Sequence, residues 1–585
     1  MLFVAASAIL LTWAVCAIVL IGLGSLASRP NTGGVKSDFS LATSFWAGLA
    51  LAVASIEIWS LFLRISSATP IALALLGTTG IVWRRAFIFR QLKEIIRLRV
   101  GACLALALIA VYVALRASGP CRHYDTGLYG AQVIRWIETF SAVPGLANIH
   151  GRLGFDSAVF LCIATLGQGF WRGLGFHLFT GFILVAMWTA VLPAWSRVLR
   201  SSWDTEAHSA DWFKAILIIP AAMWSAREQI VGAPTDVPAN AICLVAAGIL
   251  LAEIERGRMN SEQEKARGNV NLLLAATMFA LALSFKLSTI VFAALAWVIC
   301  AACLFSWNRE SGHSRKWLTA AFLMPTIILL PWLARNLILT GYPFFPSALL
   351  GIPADWRVSN SAANLIASWV HSWGRNPTAR VADTQGWSWF LPWLGRALRN
   401  REQFQVPALL SVGGIAAAVI VRLRSLATPE PRRWLWLLLP SLAGLAFWFA
   451  ESPDPRFGAA AIWTTGATLG ALGIESLMAA IKRFPPRIFA VGILIAAAWC
   501  LFSSGWQESY RPFLTVRSFI SLPETPVAKR RTRSGLIVFV PARGDQCWNE
   551  PLPCTPYFDP TLRLRSPGSM RAGFRADGQA ELPPN

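Results

Sequence analysis

Long apolar segments separated by short polar ones make up most of the chain. A helix needs about 20 mostly apolar residues to cross the hydrocarbon core of a bilayer, and fourteen segments have that character. The fourteen predicted spans cover residues 1–27, 41–62, 69–83, 101–117, 176–195, 212–228, 237–253, 270–285, 288–306, 318–338, 404–423, 434–450, 458–480 and 488–504. This pattern predicts an all-α polytopic membrane protein.

Basic residues in the short loops predict which side each loop faces. The strongest basic block follows the third span, and cytoplasmic loops are the ones enriched in Lys and Arg. It contains Arg84, Arg85, Arg90, Lys93, Arg97 and Arg99. The basic loops 196–211, 254–269, 307–317 and 424–433 fall on the same side, provided that the apolar stretch Phe155–Phe170 does not span and forms a juxtamembrane helix. Both termini are then external.

The same alternation leaves three large segments outside, 118–175, 339–403 and the tail. We divide the chain into additional N-terminal helices with a basic loop (1–100), a transmembrane core with two external loops (101–504) and an external tail (505–585). The tail is polar and rich in proline, with one strand-like run, Gly535–Val540. Its Cys547 and Cys554 would face an oxidising compartment, so we predict a disulfide between them.

Composition supports the membrane assignment and excludes two other classes. Of the 585 residues, 55% are hydrophobic and 14% are charged, which excludes a soluble protein. Lys and Arg exceed Asp and Glu by 22, but this excess lies mostly in short loops that face anionic lipid. We therefore expect no nucleic-acid partner. The first 27 residues lack a charge and a cleavage site, so we expect a retained helix and not a signal peptide.

The first external loop contains a candidate catalytic carboxylate. Asp125 lies between Tyr124 and Tyr129 at the head of an amphipathic stretch, where a carboxylate held at the hydrocarbon boundary can act as a general base. His150 and Arg152 follow in the same loop. The alternative for each of these charges is an ordinary solvated loop position.

Four more ionisable residues lie at predicted external ends of spans. Asp236 begins one span and Lys286 lies in a tight turn between two others. Arg335 ends a further span, and Arg456 belongs to the polar stretch Glu451–Phe457. A charge against hydrocarbon is unfavourable and often marks a site, although Lys286 and Arg335 could simply extend to the membrane surface. Their common side predicts a shared external cavity whose cations suit a phosphate.

These motifs together resemble the GT-C superfamily of polyprenyl-phosphate-dependent glycosyltransferases. The resemblance covers roughly residues 100–505. It rests on the pattern Asp125-Thr-Gly-Leu-Tyr129, the juxtamembrane stretch, Asp236 before Pro238, Lys286 in its tight turn, and Pro331-Trp332 followed by Arg335-Asn336. The string from Tyr124 to Asp156 is also similar to a group of uncharacterised bacterial multispan proteins. Two features depart from the superfamily: no Asp-Glu pair stands at Asp125, and four spans precede the loop.

The resemblance implies a GT-C-like helical bundle with external juxtamembrane helices, and a transferase activity in a bacterial inner membrane. A sugar would pass from a polyprenyl-phosphate donor to a glycan, lipid or protein acceptor on the periplasmic side of the cell envelope. Asp125 would be the catalytic base, and Lys286 and Arg335 would stabilise the departing lipid phosphate. The remaining substrate-binding candidates are Tyr124, Tyr129, His150, Arg152, Asp236 and Arg456. A divalent metal on Asp125 and Asp236 is compatible with the pattern but not required by it.

Two other functions remain open from the sequence. One is a transporter or flippase of a lipid-linked envelope intermediate, in which the charges would line a route. Two features of the sequence disfavour a transporter. The ionisable residues crowd one end of the spans, and the two halves show no repeat of broken segments. The other is a non-catalytic subunit in envelope assembly.

Overall fold

The computed structural model describes residues 2–27, 40–98, 100–201, 208–257, 261–310, 312–424, 433–481, 485–503 and 521–577. Arg99, Arg258, Arg432 and the first part of the predicted tail lie outside these residues. Nineteen α-helices occur in the described ranges. They are α1 Leu2–Leu26, α2 Leu41–Phe62, α3 Ala68–Leu98, α4 Val100–Ala117, α5 Ala131–Thr139, α6 Ala158–Leu166, α7 Phe179–Arg200, α8 Ser209–Ile216, α9 Ile218–Ala226, α10 Asp236–Arg256, α11 Glu262–Phe285, α12 Ile290–Trp307, α13 Ser314–Thr340, α14 Asn360–Arg375, α15 Phe390–Arg399, α16 Val406–Leu423, α17 Leu438–Glu451, α18 Ala459–Ala480 and α19 Arg487–Ser503.

Ten helices in the described ranges are long and apolar enough to cross a membrane, so the chain is a multi-pass membrane protein. They are α1, α2, α3, α4, α7, α10, α11, α12, α13 and α16. The predicted spans 434–450 and 488–504 correspond to shorter apolar helices, α17 and α19. The predicted span 458–480 corresponds to α18, which is a helix of 22 residues with Thr464, Thr465 and Thr468 in its buried surface.

Two of the sequence predictions differ from the structure in their local geometry. The predicted span 212–228 is two short helices, α8 and α9, that meet at Leu217. Pro220 accounts for the break because it has no N–H and its ring clashes with the carbonyl four residues earlier. The basic segment after the third span is not a loop, since α3 continues to Leu98 with a kink at Arg84. The apolar stretch Phe155–Phe170 contains the nine-residue helix α6, which is too short to span.

The centre of the bundle is formed by helices that are buried on every side. Helix α10 packs between α7, α8 and α11, and most of its 21 residues are buried. A helix that is apolar all round is expected in such a position. Helix α18 packs closely on α16, where a Cβ at Gly414 would overlap the backbone at Leu469. Together these helices bring the ends of α10, α11 and α18 to one face of the bundle.

The C-terminal lobe, residues 521–577, is built from strands. Strand β1 (Val527–Arg531) pairs antiparallel with β2 (Ile537–Pro541), and β3 (Arg563–Ser566) pairs antiparallel with β4 (Ser569–Arg575). Strand β2 overlaps the run that the sequence predicts, whereas the other three strands were not predicted. Cys547 and Cys554, the predicted pair, are joined in a disulfide.

The lobe and both long loops pack together on one face of the bundle, which we call the site face. Strand β4 contacts the first loop through the Phe574 amide, which donates to the Pro144 carbonyl at 2.9 Å. The second loop contacts the lobe through Asp355, which pairs with Arg565 at 3.0 Å. The three segments that the sequence places outside therefore share one side of the membrane bundle.

Candidate functional site

A cluster of charged side chains lies where four segments of the chain meet on the site face. Asp125 precedes a π-helical turn at Thr126–Gly130, and Asp236 is the first residue of α10. Lys286 directly follows α11, and Arg456 lies between α17 and α18. Asp454, close to Arg456 in the same connection, completes what we call the charge cluster. The four predicted residues come together although more than 300 positions separate the first from the last.

Asp125 and Arg456 face each other at the centre of the charge cluster. The Arg456 Nη1 atom is 3.4 Å from the Asp125 Oδ2 atom, and each side chain is 24% exposed. The Arg456 Nε atom is also 3.5 Å from Asp454 Oδ2. Partial exposure of all three groups means that a ligand can reach them from the site face.

Lys286 and Asp236 form a second ion pair beside the first. The Lys286 Nζ atom is 3.0 Å from Asp236 Oδ1 and donates a hydrogen bond to Thr235 Oγ1 at 3.2 Å. The Phe457 ring connects the two pairs, since Lys286 Nζ lies 4.9 Å and the Arg456 guanidinium 4.8 Å from its centre. Each of the two cations gains a cation–π attraction from this ring.

The local backbone explains why these charges are tolerated at the ends of apolar helices. Asp236 lies at the amino end of α10 and Lys286 at the carboxyl end of α11, the ends at which the helix dipole favours each sign of charge. Asn240 on α10 fixes the connection that carries Arg456. It donates to the Arg456 carbonyl at 3.1 Å and accepts from the Ala460 amide at 2.9 Å.

The charges shift one another's proton affinity in opposite directions. Burial raises the pKa of Asp125, but the nearby cations, Arg456 above all and then Lys286, outweigh it and hold that pKa below its usual value. Burial instead dominates at Asp454 and raises the pKa of that carboxyl, although Arg456 opposes the shift. The two carboxylates on either side of one arginine therefore differ, with Asp125 kept charged and Asp454 the easier to protonate.

His123 is a buried neighbour of the charge cluster. Burial lowers the pKa of its imidazole, which favours the neutral form. Its Nδ1 atom is 2.9 Å from the Thr126 hydroxyl, which also accepts a hydrogen bond from the Ala233 amide at 2.9 Å. These bonds fix the loop that carries Asp125 to the chain just before α10.

The other predicted residues of the first loop lie around the charge cluster in different environments. Tyr124 is half-exposed and donates to Asp545 of the C-terminal lobe, whereas the buried Tyr129 ring packs edge-on against Phe155 and Phe160. His150 is buried under the lobe, with its ring centre 4.9 Å from that of Tyr557. The Arg152 guanidinium lies 4.1 Å from the Trp369 ring centre on α14, and its charge lowers the pKa of Asp125 in concert with the nearer cations.

Arg335 is not brought into the charge cluster. Its Nε atom is 2.8 Å from Asp156 Oδ1 and its Nη1 donates to Ser60 Oγ at 3.1 Å, between α13, the first loop and α2. Only 3% of the Arg335 side chain is exposed. The structure thus separates two cations that the sequence had grouped, because α13 directs Arg335 towards α2.

Sequence reasoning missed Asp454 as an individual site residue. It lies within the stretch Glu451–Phe457, but no motif distinguishes it from the neighbouring charges. Its position two residues before Arg456, flanked by two prolines, is the one local signal. In the described part of the chain no group of three or more His, Cys, Asp or Glu side chains is placed to hold a metal ion together. A metal on Asp125 and Asp236 remains a prediction.

Comparison with known proteins places the chain in one family. A family model described as "Domain of unknown function (DUF8201)" matches residues 7–463, and the chain belongs to that family. No curated protein and no solved structure matches the chain. The matched range includes every member of the charge cluster, from Asp125 to Arg456, but not the C-terminal lobe.

Proposed function

We propose that this protein is a membrane glycosyltransferase of the GT-C type. It would move a sugar from a polyprenyl-phosphate carrier to an acceptor on the side of the membrane that carries the site face, the periplasmic side in a bacterial inner membrane. The observation that carries the proposal is the charge cluster. It combines a charged, accessible carboxylate with two adjacent cations at the ends of apolar helices, where the phosphate of a lipid carrier would arrive.

Lys286 and Arg456 are the groups assigned to the donor phosphate in this proposal. Arg can grip a phosphate through two parallel N–H bonds, and Lys acts as a point charge. Both cations contact the Phe457 ring, and the proposal requires one phosphate to bind both. As the sugar leaves, negative charge grows on the carrier phosphate, and fixed cations stabilise that charge in the transition state. Arg335 has no part in this assignment because it is buried with its partner Asp156 and lies outside the charge cluster.

Asp125 is the group assigned to the acceptor hydroxyl. In the absence of ligand its low pKa makes it a weak base, because Arg456 stabilises the carboxylate. A phosphate that binds Arg456 would compete with Asp125 for the guanidinium and raise the basicity of the carboxylate. Proton transfer is most effective when the pKa of the base lies near the working pH. The donor would thereby activate the base that the acceptor needs.

A transporter or flippase of a lipid-linked intermediate is the second candidate, and one observation favours it. Glu57 in α2 is fully buried, and neither carboxylate oxygen has a hydrogen-bond partner among the residues that the structure describes. The Asp156–Arg335 pair lies near it and interacts with it electrostatically. Buried ionisable groups at membrane depth are common on proton and substrate routes.

A reconstituted-protein assay tests the proposal. Purified protein in proteoliposomes would receive a bacterial lipid extract containing polyprenyl-phosphate sugars, and the released polyprenyl phosphate would be quantified. The Asp125→Asn variant should be slower by about 10²–10⁴-fold, the usual loss when a positioned base is removed. Asp577→Asn is the matched control, since Asp577 pairs with Arg563 in the lobe and should leave the rate unchanged. Full activity of Asp125→Asn would remove Asp125 as the base, and lipid movement without phosphate release would favour transport.

A further inference from the structure

Helix α15 presents two faces of opposite character. Its inner face carries Trp393 and Ala397, which are buried. Its outer face continues a stripe of large apolar side chains in which Trp387, Leu391 and Leu398 are 72%, 74% and 51% exposed. The spacing of seven residues places Leu391 and Leu398 on one side of the helix, and Trp387 lies in the turn just before its first residue. Fully burying one such side chain is worth about 1.5–3 kcal/mol, so an outer face in water would be unfavourable.

The position of α15 along the chain fixes it at the edge of the membrane. Asn400 alone separates its last residue from the ten-helix set, because the span formed with α16 begins at Arg401. Helix α16 exposes its own apolar stripe, which includes Leu409, Val412 and Val419. The exposed apolar side of α15 is thus adjacent in sequence to a span whose exposed side is also apolar.

The charges near the end of α15 match a bilayer surface. Arg399 and Arg401 are both exposed, one on each side of Asn400. Arginine side chains at the level of lipid headgroups attract anionic phosphates, and tryptophan is enriched at the same depth. An amphipathic helix with a basic rim and exposed Trp and Leu lies in the plane of the membrane surface when a bilayer is present.

The inner face of α15 holds part of the charge cluster in place. The Trp393 indole N–H donates to the Pro453 carbonyl at 2.6 Å, immediately before Asp454. Trp393 also packs against Trp448 and Phe449 of α17, and Arg396 donates to the Arg375 carbonyl at the end of α14. A shift of α15 would consequently move the connection that carries Asp454 and Arg456.

We infer that α15 is a membrane-surface helix, whose outer stripe of Trp387, Leu391 and Leu398 inserts into the lipid leaflet on the site face. The partner is the lipid bilayer itself. Its insertion sets the depth of the connection between α17 and α18, so that Asp454 and Arg456 lie near the level of the lipid headgroups. This inference does not rest on the transferase activity, since a transporter with the same fold would bind lipid through the same face.

Site-specific photocrosslinking in native membranes tests the inference. The photoreactive amino acid p-benzoylphenylalanine would replace Leu391 in one variant and Leu398 in another. Both positions are exposed, so we expect the larger side chain to fit there. The control variant carries the same probe at Arg543, an exposed position in the C-terminal lobe. After irradiation, the adducts would be identified by mass spectrometry of the intact protein and its peptides.

Phospholipid adducts at Leu391 and Leu398, several-fold above the Arg543 control, are the expected result. Crosslinks from Leu391 to a second copy of this chain would overturn the inference and identify the stripe as an oligomer interface. Crosslinks to another protein would overturn it in favour of a protein partner. If lipid adducts were no more frequent at Leu391 than at Arg543, the outer face of α15 would be exposed to water and the inference would be overturned.

Discussion

Each cation in the charge cluster is already matched by a carboxylate. Lys286 lies against Asp236, and Arg456 lies between Asp125 and Asp454. An anionic ligand must therefore displace a carboxylate from a cation. Partly buried charges interact more strongly than charges in water, so such an exchange has a substantial effect on both partners. The predictions for single residues depend on which carboxylate the ligand displaces.

Replacement of Lys286 by methionine should weaken phosphate binding. A hydrogen bond to a charged group contributes about 1.5–3 kcal/mol, which corresponds to roughly 10- to 150-fold in affinity. We expect a loss in that range for a short-chain polyprenyl phosphate, measured by direct binding to detergent-solubilised protein. The variant also leaves Asp236 without its cation, so thermal unfolding must first establish that the protein remains folded.

Lys529→Met is the matched control for Lys286→Met. Lys529 is exposed on β1 of the C-terminal lobe, on the same face of the bundle but outside the charge cluster. Its replacement should leave the affinity for polyprenyl phosphate unchanged. If a folded Lys286→Met protein bound the lipid as tightly as the unmodified chain, Lys286 would not contact the phosphate.

Protonation of Asp454 should strengthen phosphate binding as the pH falls, in opposition to the loss of charge by the lipid phosphate itself. Burial raises the pKa of this carboxyl above its ordinary value of about 3.9, so Asp454 gains a proton before an ordinary aspartate does. Neutral Asp454 no longer competes for Arg456, which is then freer to bind an anion. Asp125 has a lowered pKa and stays charged over the same range. Affinities measured at a series of pH values from neutral downwards, beside a variant without this carboxylate, should show the contribution of Asp454.

The Asp454→Asn variant isolates this effect from the titration of the lipid phosphate itself. It resembles protonated Asp454 at every pH, so it should bind the lipid tightly throughout and lose the part of the pH dependence that Asp454 causes. The difference between the two pH profiles is the measured quantity. Parallel profiles for the unmodified chain and Asp454→Asn would show that another group controls the trend.

At the scale of elements, the hydrophobic pattern predicted the positions of the helices better than it predicted their ends. The ten long apolar helices all fall on predicted spans, since burial in lipid or protein requires long apolar runs. The kinked continuation of α3 and the break between α8 and α9 were missed. A basic segment can continue a helix without being apolar, and Pro220 stands inside an otherwise continuous apolar run. Pattern alone does not distinguish these cases.

The strands of the C-terminal lobe show a second limit of the sequence. Strand β1 reads Val-Ala-Lys-Arg-Arg and β3 reads Arg-Leu-Arg-Ser, and neither has a long apolar alternation. Pairing with a partner strand determines such short segments. The charge cluster shows the opposite case. Asp125, Asp236, Lys286 and Arg456 could be grouped in advance because each lies in or beside a segment predicted to be external. The partner of Arg335 depends instead on how α13 packs against α2.

The fit between the C-terminal lobe and the first loop yields a prediction at the element scale. The Trp548 amide donates to the Gly127 carbonyl at 2.9 Å, and a Cβ at Gly127 would lie 2.6 Å from the Trp548 ring. Gly127→Ala should therefore displace the disulfide-closed loop from the π-helical turn beside Asp125. Overpacking of this kind costs about 1–3 kcal/mol. The lobe should become more sensitive to limited proteolysis, which gel analysis would detect.

Gly413→Ala is the control for this substitution. A Cβ at Gly413 on α16 meets no atom within 4 Å among the described residues, so alanine fits there without displacement. Its proteolysis pattern should equal that of the unmodified chain. If Gly127→Ala also matched the unmodified chain, the contact between Trp548 and Gly127 would contribute nothing to the seating of the lobe.

At the scale of the whole molecule, the site face is a continuous layer above the helical bundle. The lobe holds the first loop through Gln132, which donates to the Trp548 carbonyl at 3.1 Å, and the second loop through Asp355. All three segments must then lie on the same side of the membrane. The charge of the basic loops predicts the same side for all three segments, and that argument does not depend on the structure.

The basic loops further predict that the site face is the external side, and this can be measured in intact cells. Single cysteines would be introduced as Arg571→Cys, in the lobe, and as Gln263→Cys, beside Lys265 at the opposite end of α11. Both positions are exposed. A membrane-impermeant maleimide should label Arg571→Cys in intact cells and Gln263→Cys only after the cells are broken, because positive loops remain in the cytoplasm. The unmodified chain gives the background from its eight free cysteines. Labelling of Gln263→Cys but not Arg571→Cys in intact cells would invert the topology, and the donor and acceptor of any transfer would then have to be cytoplasmic.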